Sequence, residues 1–244
     1  LAGHLFTLAI LLAWYVSSFF VPSYQMPGPV QVAERTWTFL TDWHEVKQML
    51  FSFLHIVASV ALSFVVGTLC ALLAHYVRPT RMMMHGRLSP FLNSFSGVGW
   101  IFLAIVWFGI NAMTVVFVIS MVLVPFAIIN MREGLESLDD ELGEMGQSFT
   151  RSRWRQFWLI TVPSLYPFTF ATIRVSFGVA WKVGLTAEFF GGGRGMGYLL
   201  SLAQNDFDTP LIFTVILIIV AFVFCTDRFV FSPIQARLAR HHGG

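Results

Sequence analysis

Long apolar segments alternate with shorter polar ones along the whole chain. Several of the apolar segments reach the roughly 20 residues that an α-helix needs to cross a bilayer. The pattern predicts an all-α fold, a single polytopic bundle over residues 1–244 with about six membrane helices. The Asn111-Ala112 pair predicts a tight hairpin between the third and fourth of them. The apolar segments are Leu5–Val21, Phe51–Val77, Pro90–Ile110, Met113–Ile129, Pro163–Phe190 and Pro210–Phe231.

Between the first two apolar segments, the turn Met26-Pro27-Gly28-Pro29 precedes a shorter periodic stretch, and an amphipathic helix is predicted at Val32–Leu40.

Composition supports the membrane interpretation. Hydrophobic residues make up 56% of the chain, charged residues only 11%, and the mean hydropathy is +0.71. A soluble domain carries about 25% charged residues, so most of this surface is expected to face lipid.

The positions of Lys and Arg predict the orientation in the membrane. Ten of them fall in one set of loops, three in the opposite set, and Arg174 and Lys182 lie inside the fifth apolar segment. Because cytoplasmic loops are enriched in positive residues, both termini and the loops 78–90 and 131–162 are expected in the cytoplasm. The external parts are then residues 22–50 and 191–209.

Several kinds of chemistry lack a sequence signal. No P-loop, H-E-x-x-H or G-x-S-x-G motif occurs, and the seven His and the cysteines Cys70 and Cys225 show no ligand or disulfide spacing. The glycine-rich stretch 191–197 does not match G-x-G-x-x-G and follows a membrane segment, so a flexible external turn is predicted there. We therefore expect a protein that is not an enzyme and that binds no metal or cofactor by itself.

The loop 131–162 is long, charged and patterned. Apolar residues recur at helical spacing in its first part, which predicts an amphipathic helix with Leu135, Leu138, Leu142 and Met145 on one face. Its second part is basic and aromatic. Two interpretations stay open from the residues alone: a solvated loop with positive-inside arginines, or a docking surface for a soluble partner, because Trp and Arg often anchor interfaces. The basic and aromatic residues are Arg151, Arg153, Trp154, Arg155, Phe157 and Trp158.

This loop resembles the cytoplasmic loop of binding-protein-dependent ABC importer permeases. That family carries E-A-A, three residues, Gly, nine residues, then I-x-L-P. The same spacing joins Glu144-Met145-Gly146, Thr150 and the run Ile160-Thr161-Val162-Pro163. The side chains depart from the family pattern, since Met145 and Gly146 replace the two Ala, Thr150 replaces Gly and Val162 replaces Leu.

The resemblance extends over nearly the whole chain to the sulfonate/nitrate/taurine-type permeases. Short stretches match family sequences in order and at the right separations. They are Met26-Pro27-Gly28-Pro29, Trp107-Phe108-Gly109-Ile110, Ser152-Arg153-Trp154, Ala180-Trp181, Ala187-Glu188 and Gly195-Met196-Gly197-Tyr198. The stretch Ser94–Trp100 departs from the family, which usually has several prolines there.

The resemblance implies a type I ABC importer permease with the MetI-like fold, in the inner membrane of a bacterium and surrounded by lipid. It implies two permease copies, expected to be identical, a cytoplasmic ATPase dimer that holds ATP and Mg²⁺, and a periplasmic binding protein that delivers solute. No nucleic acid is expected. The cytoplasmic loop would form the coupling helix that contacts the ATPase. The coupling residues are then Glu144, Gly146, Thr150, Arg151, Arg153, Trp154 and Pro163, with Glu144 holding the loop together.

Ionisable residues inside the fifth segment are candidates for the translocation pathway, because charges in a membrane helix are costly and often functional. Arg174, Trp181 and Glu188 are spaced seven apart, near one helix face, and Lys182 lies about 80° from Arg174. A cationic stripe suits a small anionic solute, and Trp100 is a weaker candidate. Alternatively, Arg174 and Glu188 pair with neighbouring helices or backbone. A stand-alone secondary transporter and a membrane enzyme are competing functions.

Overall fold

The computed structural model describes residues 12–22, 25–77, 91, 94–137 and 152–235. All regular structure in these ranges is helical, with no strand among them. A helical segment over residues 153–164 precedes α5, and a π-helical turn, Asp227–Phe231, continues the last helix to residue 235. The main helices are α1 (Pro29–Thr41), α2 (Trp43–Tyr76), α3 (Gly97–Phe108), α4 (Ala112–Glu136), α5 (Tyr166–Gly191), α6 (Met196–Asn205) and α7 (Thr209–Thr226).

Three helices in the described ranges are long and apolar enough to cross a membrane by length and composition: Trp43–Tyr76, Ala112–Glu136 and Thr209–Gln235. The helix Gly97–Phe108 is apolar but shorter. Helix α5 has 26 residues and carries three ionisable side chains within its length. Charges inside a membrane helix are costly and often functional, so these three side chains are candidates for a functional site.

Several helix bounds differ from those predicted. Helix α2 begins at Trp43, eight residues before the predicted start, because the side chain of Asp42 caps it by accepting the N–H of His44 at 2.8 Å. Helix α4 continues to Glu136. Arg132 and Glu136 are one turn apart on its surface and form an ion pair, with 2.8 Å between Nε and Oε1. Helix α6 was not predicted, since its glycine-rich start indicated a turn.

Helix α4 lies at the centre of the bundle and packs along α2, α3 and α5. Val115, Val118 and Ile119 on it are fully buried. Small residues let α2 and α4 approach closely, because a Cβ placed on Gly67 would collide with the Cβ of Ala127. The core therefore consists of apolar side chains held between tightly packed helices.

The predicted hairpin between α3 and α4 is confirmed. Asn111 caps α4, with its Oδ1 accepting the N–H groups of Met113 (2.8 Å) and Thr114 (3.2 Å). Gly109 provides the reversal with a φ of 75°, a conformation that favours glycine.

The amphipathic helix predicted near residue 32 is also confirmed, as α1. It packs against α7 and α2 and buries Val32 and Phe39. Its Arg35 Nη1 donates to Glu45 Oε2 at 2.8 Å across the α1–α2 junction. The hydrogen-bonded Glu45 carboxylate raises the pKa of Arg35 above its ordinary value, so this guanidinium stays cationic at physiological pH.

Candidate functional site

The carboxylate of Glu188, near the end of α5, lies in a buried polar cluster formed by Gln48, Ser52, His55 and Glu188. Ser52 Oγ donates to Glu188 Oε2 at 2.6 Å, and His55 Nδ1 lies 2.8 Å from Glu188 Oε1. The backbone N–H of Gly197 donates to the same Oε2 at 3.0 Å. Only 2% of Glu188 is exposed. These partners therefore supply the hydrogen bonds that water would make to an exposed carboxylate.

The same cluster binds the backbone just before α6. Gln48 Oε1 accepts the N–H of Gly195 at 2.8 Å, and Ser52 Oγ accepts the N–H of Met196 at 2.7 Å. Ser52 thus accepts one hydrogen bond and donates another. The arrangement joins α2, α5 and the start of α6 through side chains that all lie inside the protein.

The glycine turn, residues 191–197, was predicted to be a flexible external turn, and most of it is buried in the protein. Gly191, Gly192, Gly195 and Gly197 are buried, and only residues 193 and 194 are exposed. Gly195 has a φ of 114°, and a Cβ there would collide with the Glu188 carboxylate. A Cβ on Gly197 would collide with the carbonyl oxygen of Leu185. The glycines are needed because the backbone passes directly over helix α5.

Arg174 lies closer to the other end of α5 and pairs with the last helix. Its Nε donates to Asp227 Oδ1 at 2.9 Å, and its Nη2 donates to Asp227 Oδ2 at 3.1 Å. Its Nη1 also donates to Gln235. This two-point contact matches the interpretation in which Arg174 pairs with a neighbouring helix.

Lys182 has a different environment from the other two ionisable residues of α5. It is exposed, and no ion pair to it occurs within the described ranges. With Arg174, Asp227 and Gln235 it lines a cavity of about 820 Å³ between α5 and α7, whose walls are otherwise apolar. Gly178 on the same face leaves open space, since no atom lies within 4 Å of a Cβ placed there.

The two tryptophans predicted to line a pathway are buried within this chain. Trp181 is 3% exposed and Trp100 is 8% exposed. Trp181 packs edge-on against Phe222 at 5.3 Å between ring centroids, and Trp100 packs against Phe95 at 4.8 Å. The pathway role of both residues, like that of Glu188, stays a prediction.

Part of the predicted coupling loop lies outside the described residues, namely Glu144, Gly146, Thr150, Arg151 and the side chain of Arg153. Trp154 is 70% exposed and packs on Phe157 and Trp158, which is also exposed. Pro163 is exposed and lies in the helical turn just before α5. The described end of the loop thus presents aromatic side chains to its surroundings.

The polar cluster has a sequence signal that the predictions did not use. Gln48, Ser52, His55, Ser59 and Ser63 recur at spacings of three or four in an otherwise apolar helix. Such a stripe places polar side chains on one helix face, and all five are buried. Asp227 had no comparable signal.

In the part of the chain that the structure describes, no group of three or more His, Cys, Asp or Glu is placed to hold a metal ion.

Comparison with known proteins finds a family model and several relatives that match this chain. The model of the binding-protein-dependent transport system inner membrane component family matches residues 5–232. The taurine transport system permease protein TauC of Escherichia coli is 25% identical over 97% of this chain and 88% of its own length. The nitrate import permease protein NrtB of Synechococcus elongatus is 25% identical over 81% of this chain and 75% of its own.

A third relative and a solved structure agree with these matches. The formylaminopyrimidine transport permease protein ThiX of Halalkalibacterium halodurans is 26% identical over 88% of this chain and 86% of its own length. A chain of the MetNI methionine ABC transporter in an inward-facing conformation has a similar fold. Its TM-score is 0.67 at 14% identity, over 82% of this chain and 96% of that chain.

The family match covers most of the chain, and the helical fold agrees with it. Both favour a transport subunit over the competing hypotheses of a stand-alone secondary transporter and a membrane enzyme. The chain belongs to the inner membrane component family of binding-protein-dependent transport systems and is an all-α permease subunit of an ATP-binding-cassette transporter.

Proposed function

We propose that this permease forms the translocation pathway for a small anionic solute, and that Lys182 is the cation which attracts it. The supporting observation is the environment of Lys182. It lies roughly 24 Å from the start of α5 and 14 Å from its end at 1.5 Å per residue, so it is deep within the helix. An exposed ammonium group at that depth is costly in lipid, which favours a water-filled pathway beside it.

The net charge of the side chains that line the cavity between α5 and α7 supports an anionic solute. Arg174 is neutralised by the Asp227 carboxylate at 2.9 Å, which leaves the charge of Lys182 unbalanced. The described charged side chains of the cavity therefore sum to one positive charge, within otherwise apolar walls. A single cation in an apolar passage binds an anion strongly enough to admit it without trapping it in a cage of donors.

The solute itself is proposed only as a class. TauC, NrtB and ThiX are named for the transport of taurine, nitrate and formylaminopyrimidine, which are all small solutes. We infer that a periplasmic binding protein delivers the solute, that a second copy of this permease completes the pathway, and that a dimer of cytoplasmic ATPase subunits supplies ATP hydrolysis with Mg²⁺. This arrangement belongs in a bacterial inner membrane with both termini cytoplasmic.

The pathway proposal is tested by uptake into proteoliposomes that contain the permease, the ATPase and the binding protein encoded beside its gene. A thermal-shift screen of that binding protein against taurine, nitrate, bicarbonate and aromatic acids selects the solute. Lys182→Gln is expected to lower the uptake rate about tenfold, and Lys182→Arg to retain most of it. Lys47→Gln is the matched control, since Lys47 is an exposed lysine outside the cavity. Equal uptake by Lys182→Gln and the control would refute the proposal.

We infer separately that the end of the cytoplasmic loop binds the ATPase. The exposed aromatic side chains of Trp154 and Trp158 support this role, because aromatic residues often anchor interfaces. Copurification of the ATPase with the permease tests it. The double variant Arg153→Ala/Trp154→Ala should lose the ATPase, whereas Trp43→Ala, which also removes a 70% exposed tryptophan, should retain it. Retention by both variants would show that the docking surface lies elsewhere.

A further inference from the structure

The start of helix α6 is capped by side chains from other helices. An α-helix leaves its first N–H groups without partners in the helix. Here the N–H groups of Gly195, Met196 and Gly197 donate to Gln48 Oε1 (2.8 Å), Ser52 Oγ (2.7 Å) and Glu188 Oε2 (3.0 Å). Gly195, the residue at the capping position, has no side chain with which to do this itself.

Three other helices in the described ranges are capped locally. Asn111 caps α4, Asp42 caps α2 and Asp208 caps α7, each through its own side chain. The acceptors at α6 are instead 147, 144 and 9 residues away in sequence. A local cap stabilises only its own helix, whereas these caps make the position of α6 depend on α2 and α5.

The glycine turn brings the backbone onto the carboxylate that caps it. A Cβ on Gly192 would lie 2.7 Å from the Cα of Glu188, and a Cβ on Gly195 would collide with the Glu188 carboxylate. The chain therefore leaves α5, folds back over its last turn and starts α6 within hydrogen-bonding distance of Glu188. His55 on α2 completes the contact from the opposite oxygen of the same carboxylate.

We propose that Glu188 is a positioning residue which, with Gln48, Ser52 and His55, fixes α6 onto α2 and α5. Helix α6, which lies on the external side in the proposed orientation, then moves together with these two membrane helices instead of moving independently. The proposal rests on the proposed orientation only for the side of the membrane at which α6 lies. It does not depend on the solute or on the ATPase.

The test uses cysteine accessibility in the full-length permease in cells. In a Cys70→Ser/Cys225→Ser background, Ala203→Cys reports on α6, because Ala203 is 1% exposed and faces the core. Gln204→Cys is the control on the same helix, because Gln204 is exposed. Each reporter is combined with Glu188→Met or Glu188→Gln, and a membrane-impermeant maleimide is added outside the cells.

The two substitutions separate packing from hydrogen bonding. Methionine fills a similar volume but cannot cap α6. Glutamine keeps an oxygen for Ser52 and Gly197, and its amide can donate to His55 Nδ1 when the imidazole takes its other neutral tautomer. We expect Glu188→Met to raise the labelling rate at Ala203→Cys by about tenfold, and Glu188→Gln to leave it within about threefold of the parent. Equal rates in the two variants, whether low or high, would overturn the proposal.

A milder substitution covers the possibility that Glu188→Met fails to insert. Ser52→Ala removes the acceptor for Met196 and a donor to Glu188 while leaving the carboxylate in place, and it should raise labelling at Ala203→Cys by several-fold. Ser94→Ala, at an exposed serine outside the cluster, should leave it unchanged. An unaltered rate in Ser52→Ala would count against the cluster. Labelling of Gln204→Cys only after permeabilisation would overturn the proposed orientation. The role of the cluster is tested independently of the orientation, because the labelling rates of the two Glu188 variants can be compared on whichever side α6 lies.

Discussion

His55 Nδ1 on α2 lies 2.8 Å from Glu188 Oε1 on α5, and both side chains are buried. The two residues are 133 positions apart, and their contact ties together two helices of the bundle near the start of α6. A buried carboxylate is tolerated inside a membrane protein only when donors surround it. Glu188 has three such donors, from Ser52, His55 and the backbone of Gly197.

The first prediction concerns the imidazole. His55→Ala removes one donor to the buried carboxylate and is expected to lower the free energy of unfolding by about 1–3 kcal/mol. Thermal unfolding of the purified permease in detergent measures the change. His44→Ala makes the same substitution at an exposed position of the same helix and should change the free energy by less than about 0.5 kcal/mol. Equal shifts in the two variants would contradict a structural role for the imidazole.

The second prediction concerns the glycine turn. Gly195→Ala places a Cβ against the Glu188 carboxylate at a φ of 114°, so we expect a loss of more than about 2 kcal/mol or a failure to accumulate in the membrane. Gly193→Ala is the matched control, because the nearest atom to a Cβ there lies 4.0 Å away. Membrane abundance and unfolding temperature are the measurements. Normal stability of Gly195→Ala would show that the turn adapts more easily than the packing indicates.

The third prediction concerns the two-point contact between Arg174 and Asp227. A double-mutant cycle with alanine at each position should give a coupling energy of about 1 kcal/mol, because the guanidinium donates to both carboxylate oxygens. The exposed pair Arg132–Glu136 provides the comparison, with one contact of 2.8 Å and an expected coupling of about 0.3–0.5 kcal/mol. A larger coupling for the exposed pair would rule out the contribution assigned to the α5–α7 contact.

The fourth prediction compares two glycines inside membrane helices. Gly67→Ala forces α2 away from Ala127 on α4 and should destabilise the permease by about 1–3 kcal/mol. Gly178→Ala faces the open cavity, so it should be neutral or stabilising by about 0.4–1 kcal/mol through reduced freedom of the unfolded chain. Detergent unfolding curves of the two variants would separate these effects, and a destabilising Gly178→Ala would mean that the cavity is occupied in the assembled protein.

Much of the fold could be predicted from periodicity alone. The α3–α4 hairpin followed from Asn111-Ala112, and helix α1 followed from its apolar spacing. Helix bounds were less accurate, because charged residues such as Arg132 and Glu45 lie inside helices that extend beyond their apolar segments. Helix α6 escaped prediction because its glycine-rich start indicated a turn, and the polar stripe that contains Gln48 and Ser52 does not reveal which backbone it binds.

The candidate site divides in the same way. Sequence singled out Arg174, Lys182 and Glu188 as unusual charges in one membrane helix, and that expectation follows directly from the cost of burying a charge. It did not identify which of them had partners. The structure pairs Arg174 with Asp227, surrounds Glu188 with Ser52 and His55, and leaves Lys182 exposed.

By itself, therefore, the sequence determined that the protein is a helical membrane protein, because hydrophobic length and periodicity are local properties of the chain. Its resemblance to ABC importer permeases rests on short motifs, which are local as well. Only the tertiary structure decided which of its charges have partners. Neutralisation and burial depend on which helices meet, and the glycine-rich stretch is a closely packed turn because the Glu188 carboxylate lies beneath it. That contact depends on helices α2, α5 and α6 packing together, and no local stretch of residues encodes it.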